Sequence, residues 1–256
     1  MQKPILQVVN LRKEFGGLVA LDDATFDVEP GQILAIIGPN GAGKTTLFNV
    51  ISGVYPATGG RVYFKGRCID GLPPHARALA GIARTFQNVL LFENMSVIEN
   101  VMLGRHVRSR AGFLQSALFL PTTRREEEEI SLRATQYLNL VGLGQFAHYP
   151  AASLPFGQKR LVAIARALAT EPEVLLLDEP GAGLNVLEKQ ELMELIQRVR
   201  ELGTTVLLVE HDMGFVMRMA DWVVVLDLGQ KIAEGPPAHI QRHGRVIKAY
   251  LGEEGV

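Results

Sequence analysis

Gly38-Pro39-Asn40-Gly41-Ala42-Gly43-Lys44-Thr45 is the stretch of this chain that decides its fold. The apolar run Ile33–Ile37 stands directly before it, and residues 47–51 carry apolar side chains at helical spacing after it. Gly53 then stands where a residue with positive φ commonly ends a helix. The local order is therefore predicted to be strand, glycine loop and helix.

Two further runs, residues 174–177 and 206–209, are continuously apolar, as buried parallel strands are. The segment between them has an apolar stripe at helical spacing, and Gly203 follows it. Strands that alternate with helices predict an α/β fold with a parallel sheet. Outside this core we predict strands over 5–14, 24–37 and 55–70, with a turn at Pro30-Gly31. We also predict a helix-rich segment over 72–170, a hairpin over 222–234 and a C-terminal helix through Tyr250.

Composition excludes several classes of protein. The 256 residues are 47% hydrophobic and 21% charged, which is typical of a globular chain able to bury a core. A net charge of -1 gives no basic surface for nucleic acid, so we expect no nucleic-acid partner. The apolar runs are far shorter than the roughly 20 residues that span a bilayer. Because there is one cysteine and no apolar signal segment at the start, we expect a cytosolic location.

The glycine-rich stretch matches the P-loop pattern, in which backbone N–H groups wrap phosphates at a helix N-terminus. In that pattern Lys44 neutralises phosphate charge and Thr45 can ligate Mg²⁺. The alternative, an ordinary glycine turn, is disfavoured by the Lys-Thr ending and by the flanking strand and helix. The predicted phosphate-binding residues are Gly38, Pro39, Asn40, Gly41, Ala42, Gly43, Lys44, Thr45 and Thr46.

Three polar residues follow the apolar runs of the core. Asp178 and Glu179 end the first run, where one carboxylate can reach Mg²⁺ and the next can polarise an attacking water. His211 follows the second run and would lie at the same edge of the sheet, within reach of a γ-phosphate. A solvated strand end and a structural histidine are the alternatives for these positions.

In order and spacing, these motifs resemble the nucleotide-binding subunits of ABC transporters over nearly the whole chain. The resemblance implies one domain, 1–256, that is a P-loop NTPase. Its RecA-like parallel core would carry an N-terminal antiparallel β subdomain and a helical subdomain inserted at about 89–168. It also implies that Gln87 touches Mg²⁺ and the attacking water, and that Phe15 stacks on adenine. A core phenylalanine is the alternative for Phe15.

The resemblance further implies an enzyme that hydrolyses Mg-ATP between two subunits, each offering its signature segment, Leu154–Gln158, to the other's nucleotide. Gly157 and Gln158 keep the usual residues there, whereas Pro155 replaces a serine and lacks both its hydroxyl and its N–H. In the loop after Glu179, Asn185 replaces an aspartate, and Asn185-x-x-Glu188 resembles a capping box. We expect hydrolysis to survive, with weak ATP-driven closure of the isolated subunit.

With these departures the chain resembles the ATP-binding subunits of branched-chain amino-acid importers, and so does its ending, Ala249-Tyr250-Leu251-Gly252-Glu253. Urea and short-amide importers are similar. The implied partners are permease subunits, a second ATPase subunit and, indirectly, a solute-binding protein, at the cytoplasmic face of the inner membrane. The residues that follow Gln87, especially Leu91, Phe92, Glu93 and Met95, would form the groove for the permease's coupling helix. The basic insertion Gly104–Arg125 would rest on lipid headgroups or, alternatively, pack on the helical subdomain.

Two other classes of function compete with transport. Repair and translation ATPases carry a long coiled coil or two linked heads, and this sequence shows neither. A nucleotide switch without hydrolysis is the second alternative, and it is motivated by Pro155 and Asn185.

Overall fold

The computed structural model describes residues 3–86, 90–107 and 121–251, which form two compact units. The first unit contains Met1–Arg77 and Leu176–Val256, and the second contains Ala78–Leu175. The strands are β1 (Leu6–Phe15), β2 (Leu18–Val28), β3 (Ile33–Ile37), β4 (Gly59–Phe64), β5 (Arg67–Cys68), β6 (Ile82–Arg84), β7 (Val174–Asp178), β8 (Thr205–Val209), β9 (Trp222–Asp227) and β10 (Gln230–Gly235). The helices are α1 (Lys44–Ile51), α2 (Pro74–Ala80), α3 (Val97–His106), α4 (Pro121–Leu140), α5 (Phe156–Leu168), α6 (Val186–Glu201), α7 (Met213–Met219), α8 (Pro237–Ile240) and α9 (Gly244–Leu251).

The core sheet of the first unit has the strand order β10-β9-β3-β8-β7. Strand β3 pairs in parallel with β8, with Ile36 opposite Val209, and in parallel with β9, with Ile37 opposite Val225. Strands β3, β7 and β8 are buried along their whole length, because every residue but the last of β7 and the first of β8 is apolar. The predicted parallel α/β core is confirmed.

A second sheet of the first unit is antiparallel and has the order β2-β1-β4-β5. Leu6 lies opposite both Val28 and Phe64, and the three side chains are buried. Strand β2 begins at Leu18, earlier than the predicted position 24. The reason is that Gly16-Gly17 closes a tight hairpin in which Phe15 already pairs with Leu18. The predicted antiparallel β subdomain is confirmed.

The second unit is helix-rich, as the sequence predicts, although it also contains the short strand β6. Helices α3 and α5 pack closely at Gly104, where an added Cβ would lie 2.0 Å from the carbonyl oxygen of Arg166. Glycine is therefore needed at this helix crossing. The boundaries 89–168 of the helical subdomain stay a prediction.

Within the described residues, no helix is both long enough and apolar enough to cross a membrane.

Candidate functional site

The glycine loop joins the end of β3 to the start of α1, and two of its glycines are required by its shape. Gly38 has φ 151°, and an added Cβ would lie 2.1 Å from the carbonyl oxygen of Leu226. Gly43 has φ 99°, and an added Cβ would lie 2.6 Å from the carbonyl oxygen of Ala20. Any side chain at either position would collide with backbone, so these glycines let the loop turn sharply into the helix.

Lys44 is the first residue of α1, and its side chain folds back over the loop. Its ammonium group is buried and donates to the carbonyl oxygens of Gly38 at 2.6 Å and Pro39 at 2.8 Å. Gly43 caps α1 without a side-chain hydrogen bond, so the positive end of the helix dipole is open to an anion. Thr45 is exposed and Thr46 is half-buried in the first turn.

The remaining loop residues complete this arrangement. Asn40 and Gly41 are exposed, while Ala42 is buried and the carbonyl oxygen of Pro39 accepts a hydrogen bond from its N–H. Hydrogen bonds to backbone carbonyl oxygens therefore hold the shape of the loop. The ammonium group of Lys44 and the N-terminus of α1 lie together beside it. This is an arrangement that binds phosphate.

The ends of β3, β7 and β8 meet at one edge of the sheet. The N–H of Glu179 donates to the carbonyl oxygen of Val209 at 3.0 Å, and the N–H of Glu210 donates to that of Ile36 at 3.3 Å. The strand that leads into the glycine loop is thus hydrogen-bonded to the strand that leads into His211. The predicted acids and histidine lie at the same carboxyl edge as the loop.

The two adjacent acids differ in environment. Asp178 is 4% exposed at the end of β7, whereas Glu179 is half-buried and has φ 47°, in the left-handed region that L-residues seldom adopt. A non-glycine residue held in this region costs roughly 1–2 kcal/mol and marks a site worth a functional explanation. The imidazole of His211 is 60% exposed, so it is not a buried structural histidine.

Phe15 lies on the surface at the end of β1. It is 41% exposed, which rules out the alternative of a core phenylalanine. Its ring makes an edge-to-face contact with Tyr55, with centroids 5.2 Å apart, and the ammonium nitrogen of Lys13 lies 4.7 Å from its centroid. Neither Tyr55 nor Lys13 is among the site residues predicted from the sequence. Lys13 is two residues from Phe15 and so shares its strand face, but no local signal points to Tyr55.

In the second unit, the signature segment forms the start of α5. Pro155 is the N-cap residue and makes no side-chain cap hydrogen bond, and Phe156 is 52% exposed with the Arg160 guanidinium 5.0 Å from its ring centroid. Gly157 and Gln158 lie half-buried in the first turn. The predicted loss of donors at Pro155 therefore falls at a helix N-terminus.

Polar side chains fix the backbone at Leu90 and Phe92, in and beside the segment predicted to form the permease groove. Asn100 is fully buried; its Oδ1 accepts from the N–H of Phe92 at 2.9 Å, and its Nδ2 donates to the carbonyl oxygen of Phe92 at 3.1 Å. The Arg166 guanidinium, whose pKa is lowered by burial, donates to the carbonyl oxygen of Leu90 at 2.8 Å. The Phe92 ring remains 58% exposed.

Some predicted positions lie outside the described residues: Gln87, residues 108–120 of the insertion, and Gly252 and Glu253. Of the basic residues within the insertion, Arg105 pairs with Glu171 at 2.8 Å and with Glu129 at 3.7 Å. Arg105 is thus an internal ion-pair partner of the second unit.

A family model described as ABC transporter matches residues 21–182. The chain belongs to the ABC transporter family. A second model, described as branched-chain amino acid ATP-binding cassette transporter, matches residues 230–256 of this ABC transporter ATPase.

Curated relatives match this ABC ATPase along its whole length. It is 45% identical to the high-affinity branched-chain amino acid transport ATP-binding protein BraF of Pseudomonas aeruginosa, covering 99% of this chain and 100% of the relative. It is 43% identical to the corresponding protein LivG of Escherichia coli, with the same coverage.

Solved structures agree with this family assignment. The ADP conformation of MJ1267, an ATP-binding cassette of an ABC transporter, has a TM-score of 0.86 and 34% identity, covering 98% of this chain and 100% of that one. A dimeric, post-hydrolysis state of the cassette MJ0796, bound to ADP and Pi, has a TM-score of 0.77 and 27% identity, covering 91% and 98%. This ABC protein is an ATPase with the P-loop NTPase fold, and the family prediction is confirmed.

Proposed function

We propose that this ATPase powers the uptake of branched-chain amino acids across a membrane. The observation that carries the proposal is the match of its C-terminal segment, 230–256, to the branched-chain family model. Full-length identity of 45% and 43% to two ATP-binding proteins named for branched-chain amino-acid transport supports it.

The donors at the sheet edge suit Mg²⁺ bound with ATP. Mg²⁺ prefers oxygen ligands, and Thr45 offers an exposed hydroxyl while Asp178 offers a carboxylate at the end of β7. Gln87 is the third ligand that we assign. Bound Mg²⁺ would neutralise charge on the phosphates of ATP.

The chain's own residues then divide the work of hydrolysis. The loop N–H groups of residues 38–46 and the ammonium of Lys44 hold the phosphates, and the ring of Phe15 stacks on the adenine. Glu179 accepts a proton from the attacking water and orients it, while His211 and Lys44 stabilise charge that develops on the γ-phosphate.

We infer that the working unit contains two ATPase subunits, either two copies of this chain or this chain and a paralogue. The dimeric relative MJ0796 bound to ADP and Pi supports this arrangement. Each subunit would present Gly157 and Gln158 at the start of α5 to the nucleotide of the other. Because Pro155 offers no N–H and no hydroxyl there, we expect closure to depend on the permease.

The remaining partners follow from the same proposal. Permease subunits at the cytoplasmic face of the inner membrane would dock near Phe92 and carry the solute delivered by a binding protein. This chain would bind there peripherally, as one nucleotide-binding domain over 1–256 with a helical subdomain at about 89–168.

Replacement of the proposed catalytic base, Glu179, tests the proposed hydrolysis mechanism. The Glu179→Gln variant should bind ATP and lose most phosphate release, roughly 10²–10⁴-fold, because general-base catalysis contributes that factor. The matched control is Glu201→Gln at the exposed end of α6, which should keep wild-type turnover. Wild-type turnover by the Glu179→Gln variant would refute the assignment.

Uptake in cells tests the solute. Cells in which the Glu179→Gln chain replaces the wild-type chain should lose uptake of labelled leucine and retain uptake of labelled urea. Loss of urea uptake with normal leucine uptake would instead support the urea and short-amide alternative.

A further inference from the structure

Two acidic residues flank His211 after β8: Glu210 accepts a hydrogen bond from Gly181, in the loop that follows Glu179, and Asp212 accepts one from Lys189, in the first turn of α6. We propose that Glu210 and Asp212 are positioning residues that tie His211 to the segment Gly181–Lys189, so that the histidine and this segment move together. The inference rests on the proposed function for the role of His211, whereas the ties themselves are seen in the structure.

Glu210 makes the first tie. Its side chain is 1% exposed; Oε1 accepts from the N–H of Gly181 at 2.6 Å, and Oε2 accepts from the N–H of His211 at 3.2 Å. One carboxylate therefore bridges two backbone segments that are 29 residues apart along the chain. Burial raises the pKa of Glu210, and the N–H groups of Gly181 and His211 oppose that shift.

Asp212 makes the second tie in the same manner. Its Oδ1 accepts from the N–H of Phe215 and caps α7, while its Oδ2 accepts from the ammonium of Lys189 in the first turns of α6 at 2.6 Å. The hydrogen bond from Lys189 lowers the pKa of Asp212. In each acid, one oxygen thus accepts from a nearby backbone N–H, that of His211 or Phe215, and the other accepts from the segment Gly181–Lys189.

The segment between these two anchors is internally bonded. The N–H of Ala182 donates to the carbonyl oxygen of Glu179, and that of Leu184 donates to the carbonyl oxygen of Gly181. Asn185 and Glu188 form a reciprocal capping box at the start of α6. Residues 179–189 therefore form one hydrogen-bonded piece that includes the proposed base.

There is little space for a side chain at Gly181 beside its hydrogen bond with Glu210. An added Cβ would lie 2.9 Å from Glu210 Oε1 and 3.6 Å from the ring of Phe215, which is fully buried. A substitution at either end of the Gly181–Glu210 hydrogen bond should therefore disturb the other. This makes a double-mutant cycle informative.

The experiment compares Glu210→Gln, Asp212→Asn and the control Glu201→Gln in the full-length chain. Glutamine keeps the volume of Glu210 but replaces one acceptor oxygen with a donor, so the N–H of Gly181 or His211 loses its partner. We expect kcat for ATP to fall about tenfold with KM changed less than twofold, because the tie acts on hydrolysis and not on nucleotide binding. Asp212→Asn keeps the α7 cap and should lower kcat about threefold.

Amide hydrogen exchange provides a second readout that needs no hydrolysis. In Glu210→Gln, exchange at Gly181 should quicken while residues 206–209 of β8 stay protected, which also shows that the variant folds. The double variant Gly181→Ala/Glu210→Gln should lower kcat by less than the product of the factors by which the two single variants lower it. Unchanged exchange at Gly181 together with wild-type kcat would overturn the inference. If wild-type chain and permease together showed no turnover, the proposed function would fail, and the exchange readout would still decide whether the tie exists.

Discussion

Replacement of Gly38 by alanine should destabilise the fold more than replacement of Gly41 by alanine in the same loop. At φ 151°, alanine enters a region that essentially only glycine adopts, at a cost of about 1–3 kcal/mol. Its Cβ would also lie 2.1 Å from the carbonyl oxygen of Leu226, in the buried strand β9. Relief of that overlap requires a backbone shift worth about 1–3 kcal/mol, so we expect a total near 4 kcal/mol.

Gly41→Ala is the matched control, because Gly41 has φ 80° in the same loop and an added Cβ meets nothing within 4 Å. It should cost about 1 kcal/mol, from backbone strain alone. For a chain of this size about 1 kcal/mol lowers Tm by roughly 2–4 °C, so nucleotide-free thermal unfolding should show a drop of about 8–16 °C for Gly38→Ala and about 2–4 °C for Gly41→Ala. Equal drops would refute the steric reasoning.

Three further outcomes are expected. Phe15→Ala should weaken fluorescent ATP-analogue binding about tenfold in titrations, because a base–aromatic stack contributes about 1–3 kcal/mol; unchanged affinity would remove Phe15 from the site. Asn185→Ala should lower stability to urea by about 1 kcal/mol through loss of the cap, while Asn185→Asp should not. Asp212→Asn should cost about 1 kcal/mol at pH 7. Because the pKa of Asp212 is lowered in the folded protein by the hydrogen bond from Lys189, that difference should be full above the ordinary carboxyl pKa and should be lost as the pH falls through the lower pKa of the folded state; a pH-independent difference would contradict the ion pair with Lys189.

Local patterns in the sequence predict much of the fold. The strand, loop and helix around Lys44 are adjacent in the chain, so hydrophobic spacing and glycine positions indicate them directly. The capping box at Asn185 and the helix-ending glycines Gly53 and Gly203 were predicted for the same reason and are confirmed, the glycines with φ 81° and 95°. The predicted start of β2 was wrong because the first residues of this strand pair with β1 across a hairpin, and strand propensity alone does not detect that pairing.

The site was less predictable wherever it depends on pairs distant in sequence. Tyr55 contacts Phe15 across 40 positions, and nothing near either residue encodes that contact. In the sequence nothing distinguishes Glu210 from any other polar residue beside His211, because its partner Gly181 is 29 residues away along the chain. Such contacts depend on the strand order of the sheet, which hydrophobic periodicity does not specify.

The left-handed backbone of Glu179 sets folding and chemistry in opposition at one position. Glycine, and to a lesser degree asparagine, adopt φ 47° more readily than glutamate does. A library randomised at this codon and sorted only for thermostability or soluble yield should therefore enrich Glu179→Gly and Glu179→Asn, and those survivors should be inactive ATPases. Consensus or stability-guided engineering of this protein would erode its activity at this residue first.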